Sequence, residues 1–501
     1  MRASSSKIIL AVGIGAYFLV FGTLTALRHA HFQTQAWDMG IFEQTLWNTI
    51  HGRVMQNTIE EIPNHLGIHM SPFLFLLVPG FALFPSPYYL LVIQTLALSL
   101  GAIPAYLLAL RILAIRRWAL RLAGIYLRYP PLHWVNWFDF HEIAFFVPLA
   151  LAGIYFLETE RRVWAWIFLI LAASTKEDAI LTVAAIGIWF LFKPAPTPRG
   201  VLGVDNLKLS TVYAHRGLPS GFLGVKKWVA ERKQGVILAI TMLAYFFIAT
   251  KLIMPALGGG LLRLDRYAQF GQTPAEIILT ITHRPLLLIQ TVFTPEKLAY
   301  LFWLLAPFAF LPFAAPRALI LVLPGLLENL LTTFRSQFSS LYQYDAILIP
   351  GLFVAALYGL CAIRTRWPRY ERGAMTAVVS AAILVFILHS PASPTSFPVR
   401  LFTADPLADT YRAMTRAIPK TASVAANTNL IPHIANRERV YTLGREPSPA
   451  DIVLLDGGDY FGFPDPESFQ RYADDYALSG LYAVQIISER YFVFTRKNFL
   501  P

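Results

Sequence analysis

The sequence predicts a polytopic α-helical membrane protein, and three observations support this fold class. Of the 501 residues, 56% are hydrophobic and only 14% are charged. The mean hydropathy is +0.51, which is too apolar for a water-soluble globule. Apolar runs of about 20 residues, the length that crosses roughly 30 Å of hydrocarbon as a helix, recur along most of the chain. The short alternating segments of a β-barrel do not occur in the sequence.

The distribution of positive charge also fits a membrane protein. The net charge is +12, but the basic residues cluster in short loops between apolar runs, as the positive-inside rule expects. This distribution argues against nucleic acid as a partner. The single cysteine, Cys361, excludes an intramolecular disulfide and a cysteine-based metal site.

The spans can be counted from the N-terminus. Residues 8–27 form an apolar run preceded by Arg2 and Lys7, which predicts an uncleaved signal anchor with a cytoplasmic N-terminus. Residues 28–87 are then an outer loop, in which 69–84 form an interfacial helix. The next run returns and delivers Arg111 to Arg121 to the cytoplasm. Continuing the count, which includes spans at about 118–134 and about 298–313, gives about eleven transmembrane helices.

Two polar regions complete the predicted organisation. Residues 193–234 are rich in lysine and arginine and predict a cytoplasmic loop. After the transmembrane domain, residues 1–389, a proline and serine linker introduces a polar region. Its short apolar runs, at 440–443, 451–455 and 482–487, are separated by turn residues and predict a small extracytoplasmic α/β domain over 390–501.

Ionisable residues gather at the ends of apolar segments that the topology places on the outer side. Such residues near a membrane are costly, so several at one surface indicate a functional site. Asp38 is the candidate catalytic base. The candidate substrate-binding residues are Glu43, His65, His69, Asp139, His141, Glu142, Lys176, Glu177, Asp178, Arg266, Arg335 and Tyr344.

Each candidate has an alternative structural role. Asp38 could cap a helix rather than take a proton from an acceptor hydroxyl. His65 and His69, spaced i, i+4, could contact a phosphate or a metal, or be ordinary interfacial histidines. Asp139, His141 and Glu142 could coordinate a divalent ion, position a sugar or cap the next helix. Lys176 could anchor a lipid phosphate or pair with its neighbouring acids.

Several motifs together resemble one family. The sequence resembles the multi-pass membrane family called domain of unknown function 2079, which is in turn similar to the C-type (GT-C) membrane glycosyltransferases. The motifs are Trp37-Asp38-Met39-Gly40-Ile41-Phe42-Glu43, His69-Met70-Ser71-Pro72, Phe84-Pro85-Ser86-Pro87, Phe138-Asp139-Phe140-His141-Glu142, Lys176-Glu177-Asp178 and Ser423-Val424-Ala425-Ala426-Asn427.

The resemblance implies a GT-C-like fold in the plasma (inner) membrane of a prokaryote and a polyprenyl-phosphate sugar donor as partner, alongside membrane lipid. Asp38 would be the base in the first outer loop, and Lys176, Arg266 or Arg335 would stabilise the departing lipid phosphate. The sequence departs from that superfamily because Met39 and Gly40 follow Asp38 where a second acid is usual. This departure leaves the use of a divalent metal open.

Two other functions fit part of the pattern. A multi-pass transporter for a polar or lipid-linked substrate would also use acids near the membrane, but it predicts paired half-structures and charges deep inside spans. A non-catalytic scaffold would use the C-terminal domain to bind a partner. The clustering of the acids at one surface favours the glycosyltransferase.

Overall fold

The computed structural model of the protein describes residues 3–192, 196–197, 212–213, 222–487 and 490–499. Most of the predicted loop 193–234 lies outside the described residues, and from Phe222 onwards it is helical. The helices are α1 Ala3–Ala30, α2 Ile41–Ile50, α3 His65–Ile68, α4 Val78–Leu83, α5 Pro87–Leu100, α6 Ala102–Leu113, α7 Arg116–Tyr126, α8 Pro130–Trp137, α9 Phe146–Glu158, α10 Arg162–Ala173, α11 Glu177–Phe192, α12 Phe222–Ile248, α13 Met254–Ala256, α14 Pro274–His283, α15 Pro285–Val292, α16 Pro295–Leu305, α17 Leu323–Leu331, α18 Ile349–Arg366, α19 Glu371–His389, α20 Pro406–Arg416 and α21 Pro466–Leu478.

Short strands complete the described structure. They are β1 Pro196–Thr197, β2 Val212–Tyr213, β3 Val424–Ala426, β4 Val440–Thr442, β5 Ile452–Asp456, β6 Tyr482–Ile487 and β7 Tyr491–Arg496. The first two pair with each other, and the last five form one sheet in the C-terminal region.

Within the described residues, five helical segments are long and apolar enough to cross a membrane. They are Ser4–Ala30, Pro87–Leu113, Arg232–Ala256, Ile349–Arg366 and Pro368–His389. The helical membrane class is therefore confirmed, whereas the count of about eleven spans is not.

Proline accounts for much of the difference between the predicted and observed spans. A proline lacks the backbone N–H and clashes with the preceding turn, so it begins helices and interrupts them. The predicted span 118–134 is divided at Pro130, where α8 begins. The predicted span 298–313 ends as an α-helix at Leu305, and 3₁₀ turns follow around Pro307 and Pro312.

Small residues set the closest helix packing in the membrane region. Gly187 of α11 faces Gly235 of α12, and a Cβ added to Gly187 would lie 2.7 Å from the Gly235 carbonyl oxygen. Small residues let transmembrane backbones approach closely, which strengthens their van der Waals contact. This pair lies in the C-terminal half of α11, whose N-terminal end carries part of the Lys176-Glu177-Asp178 motif.

The C-terminal sheet has the strand order β4-β3-β5-β7-β6. Strands β3, β4 and β5 are parallel, whereas β7 runs antiparallel to β5 and β6. The predicted apolar runs beginning near Val440, Ile452 and Tyr482 are the strands β4, β5 and β6. The α/β character of this region is thus observed.

This C-terminal sheet packs on the segment that follows α1. Phe32, Ala36 and Ile59 share one buried cluster with residues of the sheet region, among them Ile431. The hydroxyl of Thr58 donates to the Val440 carbonyl at 2.6 Å and accepts from the Val440 N–H at 3.0 Å. The predicted outer loop and the C-terminal region therefore form one body beside the helices.

Candidate active site

A large cavity lies between the segment after α1, the N-terminal end of α11 and the segments around α14 and α17. Its volume is about 1170 Å³, which is large enough for a substrate well beyond the size of a simple sugar. Ten of the thirteen candidate residues line it, although they come from distant parts of the sequence. They are Asp38, His65, His69, His141, Glu142, Lys176, Glu177, Asp178, Arg266 and Tyr344.

Asp38 and His141 form the closest acid–imidazole pair in the cavity wall. The Asp38 Oδ1 atom lies 2.7 Å from His141 Nε2, and the two side chains are 18% and 8% exposed. Asp38 lies inside a π-helical turn, Ala36–Gly40, that leads into α2, and the N-cap residue of α2 is Gly40. Turns of this kind are frequent at functional sites. Asp38 is therefore held by an imidazole rather than by a capping interaction.

The surroundings of His141 favour its charged form. Burial lowers the pKa of the imidazole, but the charge and hydrogen bond of Asp38, aided by Glu142 and Asp139, outweigh burial, and the pKa is raised. The imidazolium and the Asp38 carboxylate consequently stabilise each other. The other ring nitrogen, Nδ1, is buried without a hydrogen-bond partner.

His65 and His69 each bind a different carboxylate. His65 Nδ1 lies 2.9 Å from Glu60, and His69 Nδ1 lies 3.0 Å from Glu177. The chain leaves the helix at His69, whose φ is −128°. The two rings are still neighbours, with centroids 5.9 Å apart, but each faces its own carboxylate. Burial lowers the pKa of His65, but Glu60 more than offsets burial and raises it.

The two candidate cations in the cavity lining, Lys176 and Arg266, differ in how far they are neutralised. Lys176 Nζ lies 3.6 Å from Asp178, and burial lowers its pKa less than Asp178 and Glu177 raise it. Arg266 has no carboxylate within ion-pair distance in the described part of the chain. Its guanidinium donates to Gln337 at 3.3 Å and lies over the Phe334 ring at 4.3 Å.

The rest of the cavity is lined with apolar side chains of helices. Ile277, Ile278 and Ile281 of α14 contribute, as do Leu243 of α12 and Leu327 of α17. Some of these side chains also face outward, since Ile278 is 65% exposed. A charged region and an apolar region thus lie in one cavity, an arrangement that suits an amphipathic ligand.

Three candidate residues do not line this cavity. Asp139 is buried, accepts from the Gln35 N–H at 2.7 Å and pairs with Arg28, and burial raises its pKa to about 6. Glu43 is buried in α2 at 1% exposure. Arg335 lines a second, smaller cavity. Asp139 therefore holds the segment after α1 against the loop that carries His141.

The structure adds cavity residues that the sequence prediction missed. Glu328 in α17 lines the cavity, and an acid within an otherwise apolar run was a usable signal. Arg445 comes from the C-terminal region, and its guanidinium lies 4.5 Å from the Trp37 ring centroid. No local pattern could have connected Arg445 with a residue some 400 positions earlier in the chain.

The cavity wall also contains buried polar atoms that make no hydrogen bond. Besides His141 Nδ1, the atoms His65 Nε2 and Glu142 Oε2 are buried without hydrogen bonds. Buried polar groups without a partner cost free energy, so they mark positions where a polar ligand would bind favourably. The described residues contain no group of three or more His, Cys, Asp or Glu side chains arranged to hold a metal ion. Three of the histidines are already engaged by carboxylates, so these side chains do not fit a metal site well.

Comparisons with known proteins identify a family of membrane proteins and a solved structure of similar fold. A family model described as a predicted membrane protein, DUF2079, matches residues 28–482. ArnT from Cupriavidus metallidurans, solved bound to undecaprenyl phosphate, is similar in structure, with a TM-score of 0.53 and 12% sequence identity. The alignment covers 99% of this chain and 98% of ArnT. No curated protein matches the chain.

Proposed function

The protein belongs to the DUF2079 family of predicted membrane proteins, and we propose that it is a membrane glycosyltransferase that moves a sugar from a polyprenyl-phosphate donor to an acceptor hydroxyl. The family is of unknown function, so the proposal rests on the cavity. The ArnT-like fold supports it, because ArnT itself was solved with undecaprenyl phosphate. Because ArnT shares only 12% sequence identity with this chain, the identity of the sugar donor is itself part of the proposal.

One observation carries the proposal. The same cavity contains a carboxylate paired with an imidazole, a guanidinium without a carboxylate partner, and an apolar wall. A polyprenyl-phosphate sugar needs these three environments, for the acceptor proton, the phosphate and the lipid tail respectively. A transporter would need a path through the membrane, and these features do not indicate one.

In the proposed reaction, Asp38 takes the proton from the acceptor hydroxyl as its oxygen attacks the anomeric carbon. The new bond joins that oxygen to the sugar, and the bond between the sugar and the phosphate oxygen breaks. Polyprenyl phosphate leaves with the electron pair, and the anomeric configuration is inverted. His141 keeps Asp38 oriented beforehand, because its Nε2 atom lies 2.7 Å from the Asp38 Oδ1 atom.

The cationic side of the cavity would bind the phosphate. Arg266 has the stronger case, since no described carboxylate lies within ion-pair distance of it and arginine forms two parallel hydrogen bonds with a phosphate. Lys176 adds positive charge but shares it with Asp178. Tyr344 lies beside Arg266, with its ring centroid 5.8 Å from the guanidinium carbon. In this proposal, Glu142, His65 and Glu177 bind sugar hydroxyls.

The cavity would open on the outer side of the membrane, with the N-terminus in the cytoplasm and the C-terminal sheet outside. The arginine-rich segments 111–121 and 364–372 support this orientation through the positive-inside rule. The packing of the C-terminal sheet on the segment that contains Asp38 requires both to lie on the same side. Labelling of a Ser479→Cys variant in intact cells with a thiol reagent that does not cross the membrane would test this orientation.

The direct test of the proposal is the Asp38→Asn variant. Purified protein in lipid nanodiscs would be given synthetic undecaprenyl-phosphate donors carrying a labelled hexose or pentose, with membrane extract as acceptor. Losing a general base reduces the rate by about 10²- to 10⁴-fold, while Asn keeps a similar shape. Asp265→Asn serves as the control, because Asp265 is an exposed acid that does not line the cavity. Unchanged transfer by folded Asp38→Asn would refute the catalytic role.

A further inference from the structure

The second cavity lies beyond segment 332–338, whose other side borders the main cavity. Its volume is about 320 Å³, and it contains one residue that the sequence analysis selected, Arg335. The residues that matter here are Thr294, Lys297, Thr333 and Arg335. It is a polar recess beside helices whose outer surfaces are apolar, and the proposed transfer reaction does not use it.

Lys297 is the feature of this cavity that most needs an explanation. The residue is only 4% exposed, and its ammonium group donates to the carbonyls of Thr291, Leu330 and Thr332 at 2.9, 2.6 and 3.0 Å. Its hydrogen bonds are complete, but no described carboxylate lies within ion-pair distance of it. A buried charge without a counter-ion is costly. The cavity beside it is therefore a favourable position for an anion.

Two further groups add positive potential at this position. Arg335 is exposed, lines the cavity and forms no ion pair in the described structure. Helix α16 begins at Pro295, and Thr294 caps its N-terminus, so the positive end of the helix dipole faces the cavity. The carboxylate of Glu296, which is exposed, also lines the cavity, so the two cations Lys297 and Arg335 outnumber the one acid. The hydroxyls of Thr294 and Thr333 can supply hydrogen bonds.

The surroundings indicate that the anion belongs to a lipid. Helix α15 leads directly to the cavity, and its apolar side chains Leu286 and Ile289 and that of Phe293, the residue after it, face outward at 65%, 52% and 64% exposure. Such a surface is unfavourable in water and favourable against acyl chains. A phosphate in the cavity would place the chains of its own lipid along α15.

We infer that the second cavity binds the phosphate headgroup of an anionic membrane phospholipid. Arg335 and the threonine hydroxyls contact the phosphate, while buried Lys297 and the α16 N-terminus supply positive potential behind them. The bound lipid stabilises segment 332–338, and the other side of this segment carries Phe334 and Gln337, the neighbours of Arg266. The site is separate from sugar transfer, so its test uses lipid binding as the readout.

The experiment measures lipid retention by native mass spectrometry on the full-length protein purified in detergent. Dioleoyl phosphatidylglycerol and dioleoyl phosphatidylcholine are titrated in parallel, and inorganic phosphate is added separately in a thermal-shift measurement. The inference predicts selective retention of one phosphatidylglycerol and an affinity about tenfold weaker in Arg335→Glu. Arg335→Lys should retain most of the affinity, because the charge remains.

Arg284→Glu is the matched control. Arg284 is exposed between α14 and α15 but does not line the cavity, so this variant should bind phosphatidylglycerol as the unmodified protein does. Equal loss in both variants would show general surface attraction and overturn the inference. So would equal retention of the two lipids, or unchanged binding in Arg335→Glu. Equal stabilisation by inorganic phosphate alone would overturn the assignment to a lipid.

Discussion

The two sides of the main cavity differ in how their charges are compensated. On the side of the predicted outer loop, Asp38 and Glu60 each pair with a histidine, at 2.7 and 2.9 Å. At the N-terminal end of α11, Glu177 pairs with His69 and Lys176 with Asp178. On the side of α14 and α17, Arg266 contacts only neutral groups. Imidazole pairs suit the handling of protons, whereas a guanidinium without an ion-pair partner suits the binding of a phosphate. The comparison separates an acid–base side from an anion-binding side.

The largest effect that separates the two sides is expected from Arg266→Gln. This change removes the guanidinium charge but keeps a side chain that can donate a hydrogen bond. A hydrogen bond to a charged group contributes about 1.5 to 3 kcal/mol, so the KM for the polyprenyl-phosphate donor should rise by roughly 10- to 100-fold.

Initial rates at varied donor concentration would measure this change. The KM for the acceptor should change little, because the acceptor approaches from the side of Asp38. Arg317→Gln is a suitable control, since Arg317 is exposed and lies outside the cavity lining. A larger effect on the acceptor than on the donor would reverse the assignment of the two sides.

A smaller effect, dependent on pH, is expected from His141→Gln on the acid–base side. The folded-state pKa of His141 lies above its usual 6.5, so the ion pair with Asp38 stabilises the fold fully below about pH 6.5. That stabilisation is lost as the pH rises through the folded-state pKa, because the imidazole then loses its charge. One pKa unit corresponds to about 1.4 kcal/mol.

Thermal unfolding of the unmodified protein and His141→Gln at about pH 6 and about pH 9 would measure this difference. The difference in melting temperature should be larger at the lower pH. His51→Gln is a control, because His51 is exposed and contacts the carbonyl and the ring of Trp47 rather than a carboxylate. A difference that is constant with pH would show that His141 acts only through its shape and hydrogen bonding.

Much of the main cavity could be predicted from the sequence, because its ionisable residues stand at the ends of apolar runs. Neighbours within one motif nevertheless diverge. Asp139 points away from the cavity to Arg28 and Gln35, while His141, two residues later, faces Asp38. The direction in which each side chain points depends on the backbone conformation of the turn, and the pattern of charges in the sequence does not predict that conformation.

The helices were predictable as a class but not one by one. Apolar composition identifies membrane segments, but prolines such as Pro130 divide some of them into short helices. Long-range contacts lay outside any local pattern: Arg445 reaches Trp37 only because the C-terminal sheet packs on the segment after α1. Arg335 illustrates the same limit, because its chain neighbours Phe334 and Ser336 line the main cavity whereas Arg335 lines the second one.

The most direct test of the central claim is an experimental structure with undecaprenyl phosphate bound. The account predicts the phosphate within about 3 Å of the Arg266 guanidinium, with the tail along Ile277 and Ile281 and the phosphate in the same cavity as Asp38. A phosphate found only beside Arg335, or one separated from Asp38 by the protein wall, would contradict it.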